Sequence, residues 1–241
     1  MDDRLVVWAL TGTDTLNSDS PALTLTSAVV NTESYGQPPQ LQQEPGPFPL
    51  GTALGEHEEL VASNDDRLQQ VVYSGGNLWT SLTSSAKTGN GPVRAVAAYF
   101  ILKPSLSGSD VSATVVNQGY VSLNNPNQDN VVFPSLAVNA NGQGLMGFSV
   151  VGADFFPSAG YAIIDLVKGA GPIHITAAGF EPEDGFSGYF AFGGARLGRW
   201  GDYSAASSDP NGNLWIANEY IPNAPRTVNA NWGTFIGMIT P

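Results

Sequence analysis

Cysteine is absent from the 241 residues, which excludes disulfides, thiolate metal sites and a cysteine nucleophile. Histidine occurs only at His57 and His174, too few for a histidine-rich metal site. Cations are scarce: nine Lys and Arg stand against 21 Asp and Glu, a formal net charge of -12 that repels phosphate backbones and anionic lipid surfaces. Neither nucleic acid nor a membrane is therefore expected as a partner. No window approaches the roughly 20 consecutive apolar residues of a spanning helix. Met1-Asp2-Asp3-Arg4 runs straight into a strand-like segment with no signal-peptide pattern. Charged residues make up only 12% of the chain while 28 Gly and 17 Pro punctuate it, which argues against a helical bundle. No G-x-S-x-G, Walker A, H-E-x-x-H or dinucleotide fingerprint occurs, so phosphate chemistry is not indicated.

What is present is a repeat. Gly76-Asn77-Leu78-Trp79 recurs letter for letter as Gly212-Asn213-Leu214-Trp215, with a degenerate copy at Gly142-Gln143-Gly144-Leu145-Met146 and a turnless one at Leu5–Leu10. Trp8 to Trp79 is 71 residues, Trp79 to Met146 is 67 and Met146 to Trp215 is 69. Within each period, short β-type runs alternate with Gly, Pro, Asn and Ser clusters. The runs are Leu68–Tyr73, Asn77–Thr83, Arg94–Leu102 and Ser112–Val121, then Phe133–Val138, Gly144–Val151, Ala162–Val167 and Ile173–Ala178. The last period has only Asp202–Ser207, Asn213–Tyr220 and Thr234–Ile239. Four antiparallel strands per repeat predict an all-β fold, a β-propeller-type array of three to four four-stranded blades. The expected division is a partial blade over 1–62, blades over 63–130 and 131–195, and a partial blade over 196–241. On this reading the chain starts at the second strand of a blade and ends at a third. The array is then incomplete on its own, and another chain or missing blades would complete it.

Three segments resemble a known family: Arg199-Trp200-Gly201-Asp202-Tyr203-Ser204-Ala205, Ala217-Asn218-Glu219-Tyr220-Ile221 and Asn231-Trp232-Gly233-Thr234-Phe235. They are similar to segments of uncharacterised, mostly secreted microbial proteins with sialidase-like propellers. The resemblance implies a propeller and a secreted, extracellular setting, and little chemistry. The sialidase Asp-box, Ser-x-Asp-x-Gly-x-x-Trp, is not matched in spacing: Ser207-Ser208-Asp209-Pro210-Asn211-Gly212-Asn213-Leu214-Trp215 carries one extra residue.

Strands that alternate in direction bring the starts of all first strands and the ends of all second strands to one edge. Onto this upper face fall the long connections 38–67, 121–132 and 179–201, together with 83–93, 151–161 and 221–233. Long loops on a rigid scaffold are where binding and catalysis usually sit. Four of the six Arg, at positions 67, 196, 199 and 226, fall on it. Arg67, Arg199, Trp200 and Trp232 are the candidate ligand-binding residues, with guanidinium groups for acidic or polyhydroxylated ligands and indoles for stacking. Asp202, Tyr203 and Glu219 are the candidate catalytic groups if the chain cleaves a glycoside. Arg199 and Asp202, three residues apart, also suit a buried internal ion pair, and that structural reading is preferred. Asp65, Asp66, Glu181 and Asp184 are either turn-formers or oxygen ligands of a structural calcium; no other cofactor is expected. Trp8, Trp79 and Trp215 are expected in the core between blades. The resulting function is a non-catalytic module binding a glycan or protein through its upper face; the alternative is a secreted sialidase-like hydrolase acting on a carbohydrate.

Overall fold

The computed structural model describes residues 1–87, 91–125, 127 and 129–240. Thr88, Gly89 and Asn90 of the expected 83–93 connection, Pro126 and Gln128 of 121–132, and Pro241 lie outside the described residues. The described chain is all-β, with 52% strand and 6% helix, and forms several antiparallel sheets. In chain order the elements are β1 (Asp2–Thr11), β2 (Thr24–Tyr35), α1 (Pro49–Leu54), β3 (Leu60–Val61), β4 (Gln70–Ser74), β5 (Asn77–Lys87), β6 (Val93–Ser107) and β7 (Asp110–Val121). They continue with β8 (Asn130–Val138), β9 (Gly144–Gly152), β10 (Phe155–Asp165), β11 (Gly169–Ala170), β12 (His174–Ala177), β13 (Leu197–Gly198), β14 (Ala205–Ser208), β15 (Leu214–Tyr220) and β16 (Gly233–Ile239). Three 3-10 turns complete the set.

The meanders fall where the repeat puts them. β4-β5-β6-β7 is a four-stranded antiparallel sheet. β8-β9-β10 is a second, whose fourth position is shared by the short β11 and β12, both paired to β10. β14-β15-β16 is a third. The β4–β5 hairpin turns through Gly75 and Gly76, at φ 58° and 77°, a left-handed pair that a side chain would strain. The sheets pack in chain order. Leu5, Val7 and Val30 of β1–β2 share a cluster with Leu82, Ala98 and Phe100. Trp79, Tyr99 and Ile101 share one with Val131, Leu136 and Phe148. Ala137 and Leu145 share one with Leu214 and Ile216.

Three expectations are corrected here. The segment Leu5–Leu10 is not the second strand of a repeat: β1 pairs only with β2, and β2 begins beside the β6–β7 turn, where Thr26 donates to the Ser109 carbonyl. The hairpin therefore occupies the third and fourth strand positions. The 151–161 connection is not a long loop, because Phe155 resumes pairing opposite Gly152 and only a tight turn remains. The tryptophan stripe is not uniformly buried: Trp79 is 1% exposed, but Trp8 is 63% and Trp215 39% exposed on the outward faces of the end sheets.

The long upper connections form a layer of their own. Segment 38–49 contains Pro38, Pro39, Pro45, Pro47 and Pro49, which lack the N–H a sheet ladder needs. It stays extended, then enters α1 with Pro49 in the first turn, where a missing donor costs nothing. β3 and β13 then pair in parallel, tying 60–61 to 197–198, and Leu41 bridges to Val61. Leu41, Val61, Phe133, Val151, Trp200 and Ile221 form the cluster that joins this layer to the sheets.

Candidate functional site

Trp200, Gly201 and Asp202 lead from β13 into β14, and Glu219 is the last residue but one of β15. Trp200 is buried: its indole N–H donates to Ser149 Oγ (3.2 Å), and that hydroxyl donates to the Glu219 carbonyl (3.2 Å). It anchors the floor of the site, so the expected stacking role is corrected for this residue. Gly201 and Asp202 are consecutive left-handed residues, at φ 64° and 58°. Asp is among the few side chains that tolerate this region. A Cβ on Gly201 would lie 2.9 Å from the Phe133 ring, itself at an unusual φ of 53°. The turn is thus determined from below by a strained aromatic and from the side by Glu219, whose Oε2 accepts from the Gly201 N–H at 2.6 Å.

Above this floor, Phe186, Ser187, Arg199, Asp202, Glu219 and Trp232 surround an open cleft of about 260 Å³. Phe186 and Trp232 are in ring contact, with centroids 6.1 Å apart, and form an apolar wall. Arg199 and Asp202, which line the same cleft, form an ion pair, and the Arg199 N–H is fixed to Ser187 Oγ at 2.8 Å. Burial raises the Glu219 carboxyl above its ordinary value; the Gly201 N–H opposes the shift, and the charges of Glu183 and Asp202 add to it. Four of the residues singled out from sequence, Arg199, Asp202, Glu219 and Trp232, are therefore brought together.

The others lie nearby or apart. Tyr203 is exposed in an adjoining hollow with Gln69, Gln70 and Ser135. Arg67 lies in a third hollow that also reaches Gln69, and its guanidinium is held by Asp65 at 2.7 Å. Gln69 links these hollows to the cleft by donating to the Asp202 carbonyl at 2.9 Å. The calcium ligands do not assemble. Asp65 is committed to Arg67. Glu181 accepts from Asn231 at 3.2 Å. The Asp184 carboxylate takes the Arg226 guanidinium, the Tyr189 hydroxyl and the N–H groups of Leu50 and Gly51. Among the described residues no group of three or more His, Cys, Asp or Glu is placed to hold a metal ion.

The buried Arg199–Asp202 pair expected from sequence is also corrected. The pair forms, but its side chains are 72% and 40% exposed. Solvent stabilises either survivor, so Arg199→Ala is expected to cost about 1 kcal/mol or less. Glu219→Ala, which removes the acceptor of a part-buried N–H at the strained turn, is expected to cost more, roughly 1–3 kcal/mol. Urea denaturation of the two variants checks the order; a larger loss for Arg199→Ala would restore the buried-pair reading.

A buried polar network under the cleft was not legible beforehand. Glu59 and Glu183 are both buried, and Glu59 Oε1 and Oε2 and Glu183 Oε2 lie out of water with no protein donor among the described residues. Gln43 bridges their segments, donating to the carbonyls of Glu59 and Glu183 and accepting from the Glu183 N–H. The acidic run 181–184 was the only signal, and it points equally to a turn. Comparison with known proteins returns no family model and no curated protein that matches this chain.

Proposed function

We propose that the protein is a non-catalytic, propeller-type module that binds a glycan through the cleft between Trp232 and the Arg199–Asp202 pair. The observation that carries this reading is the cleft's two-sided chemistry. An aromatic wall of Phe186 and Trp232 suits the apolar face of a sugar ring. The same cleft is lined by the guanidinium of Arg199 and the carboxylates of Asp202 and Glu219, the mix of apolar surface and few polar groups typical of small-ligand sites. The carboxylates are already engaged, Asp202 by Arg199 and Glu219 by the Gly201 N–H, which favours recognition over turnover. The propeller part of the reading rests on the repeat and on the packing of successive sheets in chain order. An extracellular setting goes with it through the resemblance of the 199–205, 217–221 and 231–235 segments.

The hydrolase reading keeps one observation in its favour: a carboxyl raised by burial, as in Glu219, is what a general acid requires. One experiment separates the two. Binding and turnover are measured on a glycan panel with wild type, Trp232→Ala and Asp202→Asn. Binding without turnover, weakened by at least about tenfold in Trp232→Ala, is the expected result. Turnover abolished by Asp202→Asn would replace it with the hydrolase, and the absence of any binding that either substitution reduces would defeat both.

A further inference from the structure

The cleft does not end at Asp202. Asp202 and Tyr203 are consecutive, their Cα atoms about 3.8 Å apart, yet they line different hollows: Asp202 the cleft, and Tyr203 the adjoining hollow with Gln70 and Ser135. Gln69 spans the junction, since it lines the second hollow and donates to the Asp202 carbonyl at 2.9 Å. The cleft measures about 260 Å³ and the adjoining hollow about 230 Å³. Each alone falls short of the roughly 300 Å³ at which small-ligand sites begin, and the two together fall within their range. The crevice beyond, beside Arg67, is only about 10 Å³ and admits no ring.

The second hollow has a fixed floor. Gln70 of β4 accepts from Ser135 Oγ of β8 at 2.8 Å and donates to the Ala206 carbonyl of β14 at 3.4 Å, tying three sheets together beneath it. Strained backbone gathers along the same row. Among the described residues four that are not glycine have a positive φ, and three of them line these hollows: Asn64 at 59°, Phe133 at 53° and Asp202 at 58°. Backbone held in this region is costly and collects at ligand-binding sites. Over that floor Tyr203 is 72% exposed, a ring face left in water. Apolar on its face and polar at its tip, it suits a sugar ring as Trp232 does.

We propose that the ligand is a chain of at least two linked sugar rings, one held in the cleft by Phe186, Trp232 and the Arg199–Asp202 pair, the next stacked on Tyr203 in the adjoining hollow. This inference rests on the glycan reading of the cleft and names the class of glycan: an oligosaccharide rather than a single terminal sugar. Both hollows are open, so a lone ring in either keeps much of its surface in water. Linking two rings makes the second contact intramolecular, and it then adds affinity without a second loss of translational freedom. Tyr203, outside the cleft, becomes a residue that sets specificity for chain length.

Isothermal titration calorimetry tests it, with cello-oligosaccharides, chito-oligosaccharides and oligogalacturonates from the single sugar upward, on wild type, Tyr203→Ala, Tyr203→Phe and Trp232→Ala. In at least one series wild type is expected to bind the two-ring member at least about tenfold more tightly than the single sugar. Trp232→Ala is expected to weaken one ring and two rings alike. Tyr203→Ala is expected to cut the ratio of two-ring to one-ring affinity by about tenfold, and Tyr203→Phe, which keeps the ring, to retain it. Tyr203 is exposed, so thermal melts of its variants are expected to match wild type. No binding in any series overturns the glycan reading and this inference with it. A single sugar bound as tightly as a chain, or a gain with length that Tyr203→Ala leaves untouched, overturns this inference alone and leaves the cleft a site for one ring.

Discussion

Arg226→Ala is expected to cost about 3–5 kcal/mol, because it leaves a carboxylate charged and without its cation where water cannot reach. Asp184 is fully buried, and Arg226 reaches it from the 221–233 connection, pairing with the carboxylate and donating to the Asp184 carbonyl at 2.7 Å. The same carboxylate accepts from the first turn of α1 through Leu50 (2.8 Å) and Gly51 (3.0 Å), and from the Tyr189 hydroxyl. Three connections, 38–67, 179–201 and 221–233, thus meet on one side chain, and the neutral donors that remain cannot replace a full positive charge. For a domain of this size each kcal/mol moves the melting temperature by roughly 2–4 °C, so the loss is visible in a simple thermal scan. A double-mutant cycle with Asp184→Asn completes the measurement. The double variant is expected to recover part of the loss, as the stranded charge is gone. A single-variant cost below about 1 kcal/mol, the range of exposed pairs, would show that the pair is solvated.

Stability is expected to fall as pH rises above the ordinary carboxyl range, and Glu59→Gln is expected to remove much of that fall. Glu59 is raised strongly, first by burial and then by the neighbouring Glu183 carboxyl. Glu183 is raised by burial too. A side chain at Gly188 or Gly198 would collide with these carboxyl oxygens, so glycine backbone walls the pair off from water. The folded protein consequently keeps a proton between Glu59 and Glu183 that the unfolded chain releases near the ordinary value of 4.5. Below that value both states hold the proton and the pair contributes its full stability. Above it, stability declines by about 1.4 kcal/mol per pH unit for one retained proton, until the folded pair also ionises. An amide at position 59 carries the donor permanently and uncouples the pair from pH. Melting curves of wild type and Glu59→Gln at about pH 5 and about pH 8 check this. Parallel slopes for the two proteins would show that the pair is not the source. Asp65, Asp165 and Asp209 are lowered by their hydrogen-bond partners and act in the opposite direction, losing stability only as pH falls through their depressed values.

Much of the strand order is local information and could be read directly. The Gly75–Gly76 turn and the Gly212-Asn213 turn set two hairpins, and the alternation in β7 and β15 marks faces without reference to the rest of the chain. The meeting of Arg199, Asp202, Glu219 and Trp232 also followed from topology alone, because connections at the same end of antiparallel strands share an edge. Trp200 was misjudged for a physical reason. An indole beside a loop can stack on a ligand or fill a gap below it, and only the presence of Ser149 and Phe133 beneath decides which.

The sequence by itself determined the class of fold, the order of the strands in the middle sheets and the edge on which the charged cleft forms, since these follow from period-2 patterning and turn residues acting over a few positions. Only the tertiary structure decided which charges are buried and which faces are covered. Glu59 and Glu183 meet where Gln43 of the proline-rich segment hydrogen-bonds the backbone of both and β3 pairs with β13. Trp79 and Trp215 occupy the same place in the same repeat, yet one is in the core and the other is open to solvent. β8 and β9 pack on Trp79, whereas no sheet among the described residues packs on Trp215, and burial is a property of that neighbour rather than of the residue.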